Sequence, residues 1–464
     1  MIQFASFYFL FVLSTYIIEF FNFAAISALL LSYFSILYYF SKYIKTDSRY
    51  PFKPEGIDCL IIALFAFEFD NIIHIYSTHY RFLPDFVRVE VWICLVFIVL
   101  CVASFFKDVP VLSRHNLFVI CILTLFLNLL FIYFGAKPVI DGYVHLKEAA
   151  GYFLSGRNPY SSIYTQVYSP EQVKIFYYDN PIFLQHVPFL SVPPVSIALH
   201  AVGRVLGDIR TINAILFCMG PILLKSICSK IFPDFSDNDQ KKMALIILIF
   251  PAQLYLIFWA WTDIILGFFL LLFIYLFLNK QDVASYFALG IFLSLKQYSV
   301  IYAIPFLFFM NLKDWKLYLV TGGVIIIPLA FYALWDLNGF IDSIILYELK
   351  QPFRTDSFSI TGLMVRNFGM KVFFGILLSI FIMLVSFVVT VYISIKKRLT
   401  LDTGYKQMRF MLYVILFQFA NFLMFSKQSF LNQYYFLTFV FYLTMLFSIH
   451  PFSDASNLQV NKGN

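Results

Sequence analysis

Charge is what this sequence has least of. Only 13% of its 464 residues are Asp, Glu, Lys or Arg, about half the share of a soluble domain. A surface so poor in ions excludes a large soluble module. There is no CxxC pair among the six cysteines, Cys59, Cys94, Cys101, Cys121, Cys218 and Cys228. A zinc ribbon or a redox dithiol is therefore excluded, and buried free thiols are expected. The first apolar stretch has no basic residues ahead of it and no small-residue cleavage site, so it reads as a retained helix rather than a signal peptide. Low-complexity linkers and repeats of fixed period are missing too, which excludes a solenoid or a tethered pair of domains.

What is present in their place is apolar sequence. Hydrophobic residues make up 61% of the chain, with 60 Phe and 31 Tyr. A bilayer core demands helices of about 20 apolar residues, because every backbone polar group must be paired within the segment. Apolar runs fall at 3–18, 21–40, 57–76, 91–106, 117–135, 211–226, 243–259, 264–278, 286–310, 317–334, 372–395, 410–425 and 434–447. The sequence thus predicts an all-α, polytopic membrane protein with about 12–14 spanning helices.

The net charge of +7 is not a nucleic-acid signature. The basic residues gather in short clusters between apolar runs: Lys42/Lys45/Arg49/Lys53, Lys107/Arg114, Lys241/Lys242, Lys313/Lys316 and Lys396/Lys397/Arg398/Lys406/Arg409. By the positive-inside rule these face the cytoplasm, as does the N-terminus. The long loops 136–183 and 336–370 then lie outside. Parity closes if 187–205 lies along the membrane and 286–310 is a broken pair around Lys296-Gln297. The tail after Ser453 is polar and expected to be disordered.

The loop after the run at 117–135 carries the most information. It reads DGYVHLKEAAGYFLSGRNPY from Asp141 to Tyr160. Leu146, Ala149, Ala150 and Phe153 fall on one face of a helix, with His145, Glu148 and Tyr152 on the other. Gly156 stops that helix and Asn158-Pro159-Tyr160 makes a turn. A short interfacial helix with a carboxylate at its start is expected. Taken alone, Asp141 reads most simply as a helix cap.

The order of motifs adds a second reading. Asp141 after a helix, an amphipathic stretch, the Gly-x-Asn-Pro-Tyr turn, and then Val192-Pro193-Pro194 resemble the first external loop of GT-C glycosyltransferases. Downstream, Trp261-Thr262-Asp263 opens an apolar helix. Leu295-Lys296-Gln297 stands between Gly290 and Pro305-Phe306. Ser426-Lys427-Gln428 precedes Asn432 and Tyr434-Tyr435. Over about residues 115–450 the pattern is similar to the polyprenol-phosphate-mannose-dependent mannosyltransferases and the catalytic subunit family of GPI mannosyltransferase I. The four helices in 1–114 depart from that pattern and read as an accessory module, with 451–464 as the tail.

The resemblance implies transfer of a sugar from a polyprenyl-phosphate donor to a glycan or glycolipid acceptor at an extracytoplasmic site, in the plasma membrane or endoplasmic reticulum. Such transfer needs a carboxylate to take or orient the acceptor hydroxyl proton, and cations or donors for the leaving phosphate. Asp141 is the candidate base. Lys296, Gln297, Lys427, Gln428 and Arg354 are the candidate phosphate ligands. Glu148, Asn158, Tyr160 and Asp263 are candidates for the acceptor and its loop. A lipid-borne leaving group held by cations requires no metal, and the only expected co-substrate is the lipid-phosphate sugar.

Each lysine also reads as a helix-end side chain reaching for the interface. Glu19, Glu68, Asp70 and His74 read as interfacial or helix–helix contacts, since Asp70 and His74 lack a third metal ligand. The main alternative is a transporter or flippase for a lipid or lipid-linked glycan, which predicts paired repeats and broken helices in both halves. A membrane acyltransferase would want a partnered intramembrane His, and an oligosaccharyltransferase its Trp-Trp-Asp signature. Neither is found.

Overall fold

The computed structural model describes Ile61, residues 83–106, 110–177, 186–187, 190–249, 253–299 and 315–347, Ser357, and residues 359–398, 404–427 and 429–449. The first helices, Glu19, Glu68, Asp70, His74, Pro305, Phe306, Arg354, Gln428 and the tail lie outside the described residues.

Sixteen helices account for most of what is described, numbered here in chain order. They are α1 (Asp85–Ala103), α2 (Pro110–Phe134), α3 (Asp141–Leu154), α4 (Pro170–Tyr177), α5 (Pro194–Val205), α6 (Arg210–Ile231), α7 (Asp237–Leu245) and α8 (Gln253–Phe258). There follow α9 (Asp263–Leu278), α10 (Asp282–Ser294), α11 (Trp315–Trp335), α12 (Leu337–Ile341), α13 (Ile360–Phe368), α14 (Val372–Arg398), α15 (Gly404–Phe425) and α16 (Leu431–Ile449). A two-residue strand, β1 (Tyr164–Thr165), pairs antiparallel with β2 (His186–Val187) in register Tyr164↔Val187.

Among the described residues six helices, α1, α2, α6, α11, α14 and α15, are long and apolar enough to cross a bilayer. The protein is a multi-pass, all-α membrane protein. Its helices divide by what surrounds them. Of the most apolar window of α15, 78% is buried within the protein, against 6% for α11 and 11% for α14. The last two present their Leu, Ile and Phe outward, where only lipid tails tolerate so much apolar surface. By contrast α9 is apolar all round and buried nearly throughout its length, as expected of a central helix.

The chain sorts its polar ends into two groups. At one end Lys241 donates to the Arg114 carbonyl at 3.0 Å, and Asn238 donates to that of Phe105 at 3.0 Å. Lys242 lies over the Phe106 ring, and Tyr405 reaches the Phe447 carbonyl. This is the basic end. At the other, the site end, Tyr133 reaches Leu206, Asn213 reaches Trp261, and Asn432 reaches Asp263.

Of the two expectations about parity, the helix that does not cross is described, and the second arm of the broken pair at 286–310 lies outside the described residues. Helix α5 does not cross: Ser196 near its start meets Thr262, and the Leu206 carbonyl just after it meets Tyr133, both at the site end. Helices α10 and α11 run parallel, since Thr321 donates to the Tyr286 carbonyl while Gly290 sits against Val324. A Cβ on Gly290 would stand 2.7 Å from Val324 Cβ, so the close approach of this pair needs glycine there.

Candidate functional site

Helix α3 forms where the sequence predicts it. Gly156 takes φ +71°, and the Arg157 N–H bonds back to the Tyr152 carbonyl at 2.9 Å, a left-handed termination that suits glycine. Its inner face, Tyr143, Leu146 and Ala150, packs on Ala201, Ile209 and Ala260, which lays α3 across α5 at the site end. Asp141 is the first helical residue, not the cap. Ile140 holds the N-cap position and offers no side-chain bond.

The Asp141 carboxylate is half-buried. Among the described residues its one hydrogen bond is from the adjacent Gly142 N–H, at 2.7 Å. The Trp261 indole lies against this first turn, so that a Cβ on Gly142 would stand 3.7 Å from its Nε1. The first turn of α3 thus lies beside the Trp261-Thr262-Asp263 turn that starts α9.

Asp263 is fully buried. Its Oδ1 accepts from the Tyr298 hydroxyl at 2.6 Å, and its Oδ2 from Asn432 Nδ2 at 2.6 Å. Lys296 Nζ stands 3.3 Å from Oδ2, with its side chain 20% exposed. Both Asp263 oxygens are thus occupied inside the protein by Tyr298, Asn432 and Lys296. It is the counter-charge that keeps an ammonium group stable at the end of an apolar helix. Tyr298 is held in turn by stacking on Phe419 at 5.2 Å, and its ring faces Lys296 at 5.8 Å.

The remaining candidates separate. Gln297 donates to the Ser191 carbonyl at 2.5 Å, tying the break after α10 to the segment before α5. Lys427 lies in the turn between α15 and α16, four residues before the helix that brings Asn432 to Asp263, and so at the same end as Lys296. That turn is braced by buried serines: Ser426 and Ser429 hydroxyls are 2.7 Å apart, and Ser357 accepts the Ser429 N–H at 3.0 Å.

Glu148 is engaged elsewhere. Its two oxygens take the N–H and hydroxyl of Thr165 at 3.0 and 2.5 Å, pinning β1 to α3. Asn158 accepts the Tyr160 N–H at 3.0 Å and caps a short 3₁₀ turn. Tyr160 is 2% exposed, donates to the Val192 carbonyl and meets Tyr332 and Phe340 edge-on. Neither its ring nor its hydroxyl is open to an acceptor. These three residues hold the loop together.

Two polar clusters were passed over in the sequence. In the first, Asp208 takes both Nε and Nη2 of the fully buried Arg210 at 2.9 and 3.0 Å, Lys137 Nζ at 3.0 Å and the Tyr143 hydroxyl at 3.2 Å. Burial alone would raise this carboxyl, but the Arg210 hydrogen bonds and charge, with Lys137, hold it down at about 2. The Arg210 guanidinium also lies over the Tyr143 ring at 5.1 Å, so the cluster fixes the start of α3, two residues from Asp141. The signal was an Asp-x-Arg pair just before an apolar run. In the second, His200 and Asn213 are buried side by side, and no motif spacing marks either one.

Compared with protein-family models, with curated proteins and with solved structures, this chain matches none, so its likeness to the GT-C enzymes rests on the motifs alone.

Proposed function

We propose that this protein is a membrane glycosyltransferase that moves a sugar, in first place mannose, from a polyprenyl- or dolichyl-phosphate donor to a glycan or glycolipid acceptor. The observation that carries the reading is that two chemistries meet the Trp261-Thr262-Asp263 turn. Asp141, a half-buried carboxylate with no tertiary hydrogen bond among the described residues, begins the helical turn that lies against Trp261. Lys296, an ammonium group, pairs with the buried Asp263 of the same turn. In the reaction the acceptor oxygen forms a bond to the anomeric carbon as Asp141 takes its proton. The bond from that carbon to the phosphate oxygen breaks, and the phosphate leaves with the electron pair towards Lys296. Lys427 and Arg354 are further cations for the same phosphate. The basic end faces the cytoplasm by the positive-inside rule, and the site end then faces the extracytoplasmic side.

The test is release of polyprenyl phosphate from a labelled lipid-phosphate sugar by purified protein. Asp141→Asn keeps the size of the side chain and the Gly142 contact. Transfer is expected to fall by about 10²–10⁴, the usual worth of a general base, with donor binding and unfolding midpoint unchanged. Full transfer by Asp141→Asn would remove this residue from the mechanism. The interruption after α10 also suits a carrier. A carrier would move the lipid-linked sugar between leaflets and release no phosphate in the same assay.

A further inference from the structure

Two indoles flank the turn that ends α8. The Trp261 N–H bonds to the Leu256 carbonyl at 2.9 Å, and the Ala260 N–H to that of Ile257 at 3.1 Å, the pair of bonds that closes a helix through a left-handed residue. Glycine usually fills that position, but here Ala260 holds φ at +59°. It is buried in one cluster with Tyr143, Leu146 and Ala201, so packing on α3 and α5 sustains a conformation that an L side chain resists. The consequence is a sharp corner that sets the Trp259 and Trp261 rings edge to face, with centroids 4.8 Å apart and planes at 84°. Asn213 fixes the corner from α6, donating to the Trp261 carbonyl at 3.0 Å.

Both indoles are half-buried. Trp261 presents its Nε1 edge to the first turn of α3, where a Cβ on Gly142 would stand 3.7 Å from Nε1 and 3.8 Å from Cδ1. That indole N–H is neither buried nor hydrogen-bonded among the described residues. Asp141, the neighbour of Gly142, spends Oδ1 on the Gly142 N–H, and its Oδ2 has no partner among the described residues. A free donor and a free acceptor therefore stand on adjoining turns, beside a pair of aromatic rings.

Interfacial anchoring does not account for this corner. Trp315 and Trp335 are the anchors of α11, 56% and 47% exposed at the two ends of that lipid-facing helix, whereas Trp261 has one edge against protein. A quaternary ammonium would take the rings and the carboxylate, but the indole N–H would repel it. A sugar uses all three. One hydroxyl of a vicinal diol donates to the carboxylate, its neighbour accepts from the indole N–H, and the C–H face of the ring packs on the aromatic surface. We infer that the Trp259-Ala260-Trp261 corner is a pyranose subsite and that Trp261 is its specificity-determining residue, selecting an acceptor that ends in a hexopyranose with a free vicinal diol. That the occupant is the acceptor rests on the transferase reading, whereas the sugar contact stands on the corner itself.

Saturation-transfer NMR tests this on the full-length protein, held in an amphipathic polyacrylate that carries neither sugar nor choline. The probes are the methyl α-pyranosides of mannose, glucose and N-acetylglucosamine, with choline chloride beside them. At least one pyranoside is expected to take up saturation, most strongly on the C–H protons of one ring face, and choline is not. Trp261→Phe keeps a ring on Trp259 but has no N–H, and should weaken that pyranoside about 3–10-fold, the worth of one hydrogen bond. Gly142→Ala favours the helix and sets a methyl group at ordinary contact distance from Nε1. It should weaken the same sugar in a protein that folds at least as well. Saturation of no pyranoside, saturation of choline in their place, or wild-type affinity in both variants would overturn the subsite. Release of polyprenyl phosphate from the donor is read separately, so the subsite can fail while the transferase reading stands, and the reverse.

Discussion

Replacing Asp263 by Asn keeps the shape of the side chain and removes its charge. One oxygen remains to accept from Tyr298 or Asn432, but the new amide nitrogen must face a donor that formerly met an oxygen. Lys296, 3.3 Å away and 20% exposed, then stands as an unpaired ammonium in an apolar setting. Removing one partner of a buried ion pair costs about 3–5 kcal/mol. The partial exposure of Lys296 puts this pair at the lower figure, about 3 kcal/mol. Lys296→Met alone leaves the Asp263 carboxylate with two donors in place of three, for about 2–3 kcal/mol. The double variant exposes neither charge, and is expected to be little worse than either single one. The coupling in the cycle should therefore be about 2–3 kcal/mol, near the top of the usual range for residues in contact. Reversible unfolding in mixed micelles, titrated with SDS and followed by tryptophan fluorescence, reads all four corners. Additive effects, within about 0.5 kcal/mol, would refute the argument that each charge is tolerated only because of the other.

Asp208 gives a pH signature. Its folded carboxyl, at about 2, lies below the unfolded value of about 3.9. The stability it supplies is therefore complete above about pH 4 and is lost as pH falls towards 2, at most about 2.5 kcal/mol. Asp208→Asn should lose this stability at neutral pH and flatten the profile between pH 4 and 2; an unchanged acid slope would count against the cluster. Topology can be read by labelling cysteines in intact cells. Ser155→Cys, exposed beyond α3, should react from outside, and Lys396→Cys, exposed at the end of α14, only after permeabilisation. The reverse pattern would invert the orientation. Ser357, 2% exposed, would report poorly.

Local features were legible in the sequence, and partnerships were not. The limits of α3 followed from its period and from Gly156, since a left-handed residue is written into the composition. The horizontal α5 and the interruption at Lys296 followed from parity, because each span must reverse the last. That Asp263 belongs to Lys296 could not be seen, as nothing in either helix records which of many polar groups it meets. Asp263 therefore read with the acceptor loop, and its pairing with Lys296 was not anticipated. Tyr160 misled for the opposite reason: a Pro-Tyr turn beside a candidate base reads as a binding loop, yet its ring fills the space under Tyr332 and Phe340. His200 was silent because a lone histidine in an amphipathic helix has no spacing to betray it.

The hairpin of α9 and α10 carries a consequence for biogenesis. Asp263 opens its first arm and Lys296 follows its second, and the two arms turn at Asn279 and Lys280. The ion pair thus lies between the two free ends of a single antiparallel unit. Closure of that one hairpin brings the charges together, before α16 arrives to add Asn432. The contact is local in sequence and needs no distant segment, so it can form early. Neither ion has to wait unpaired in the bilayer for the rest of the chain to be synthesised, and the charge most costly to bury enters the membrane already neutralised.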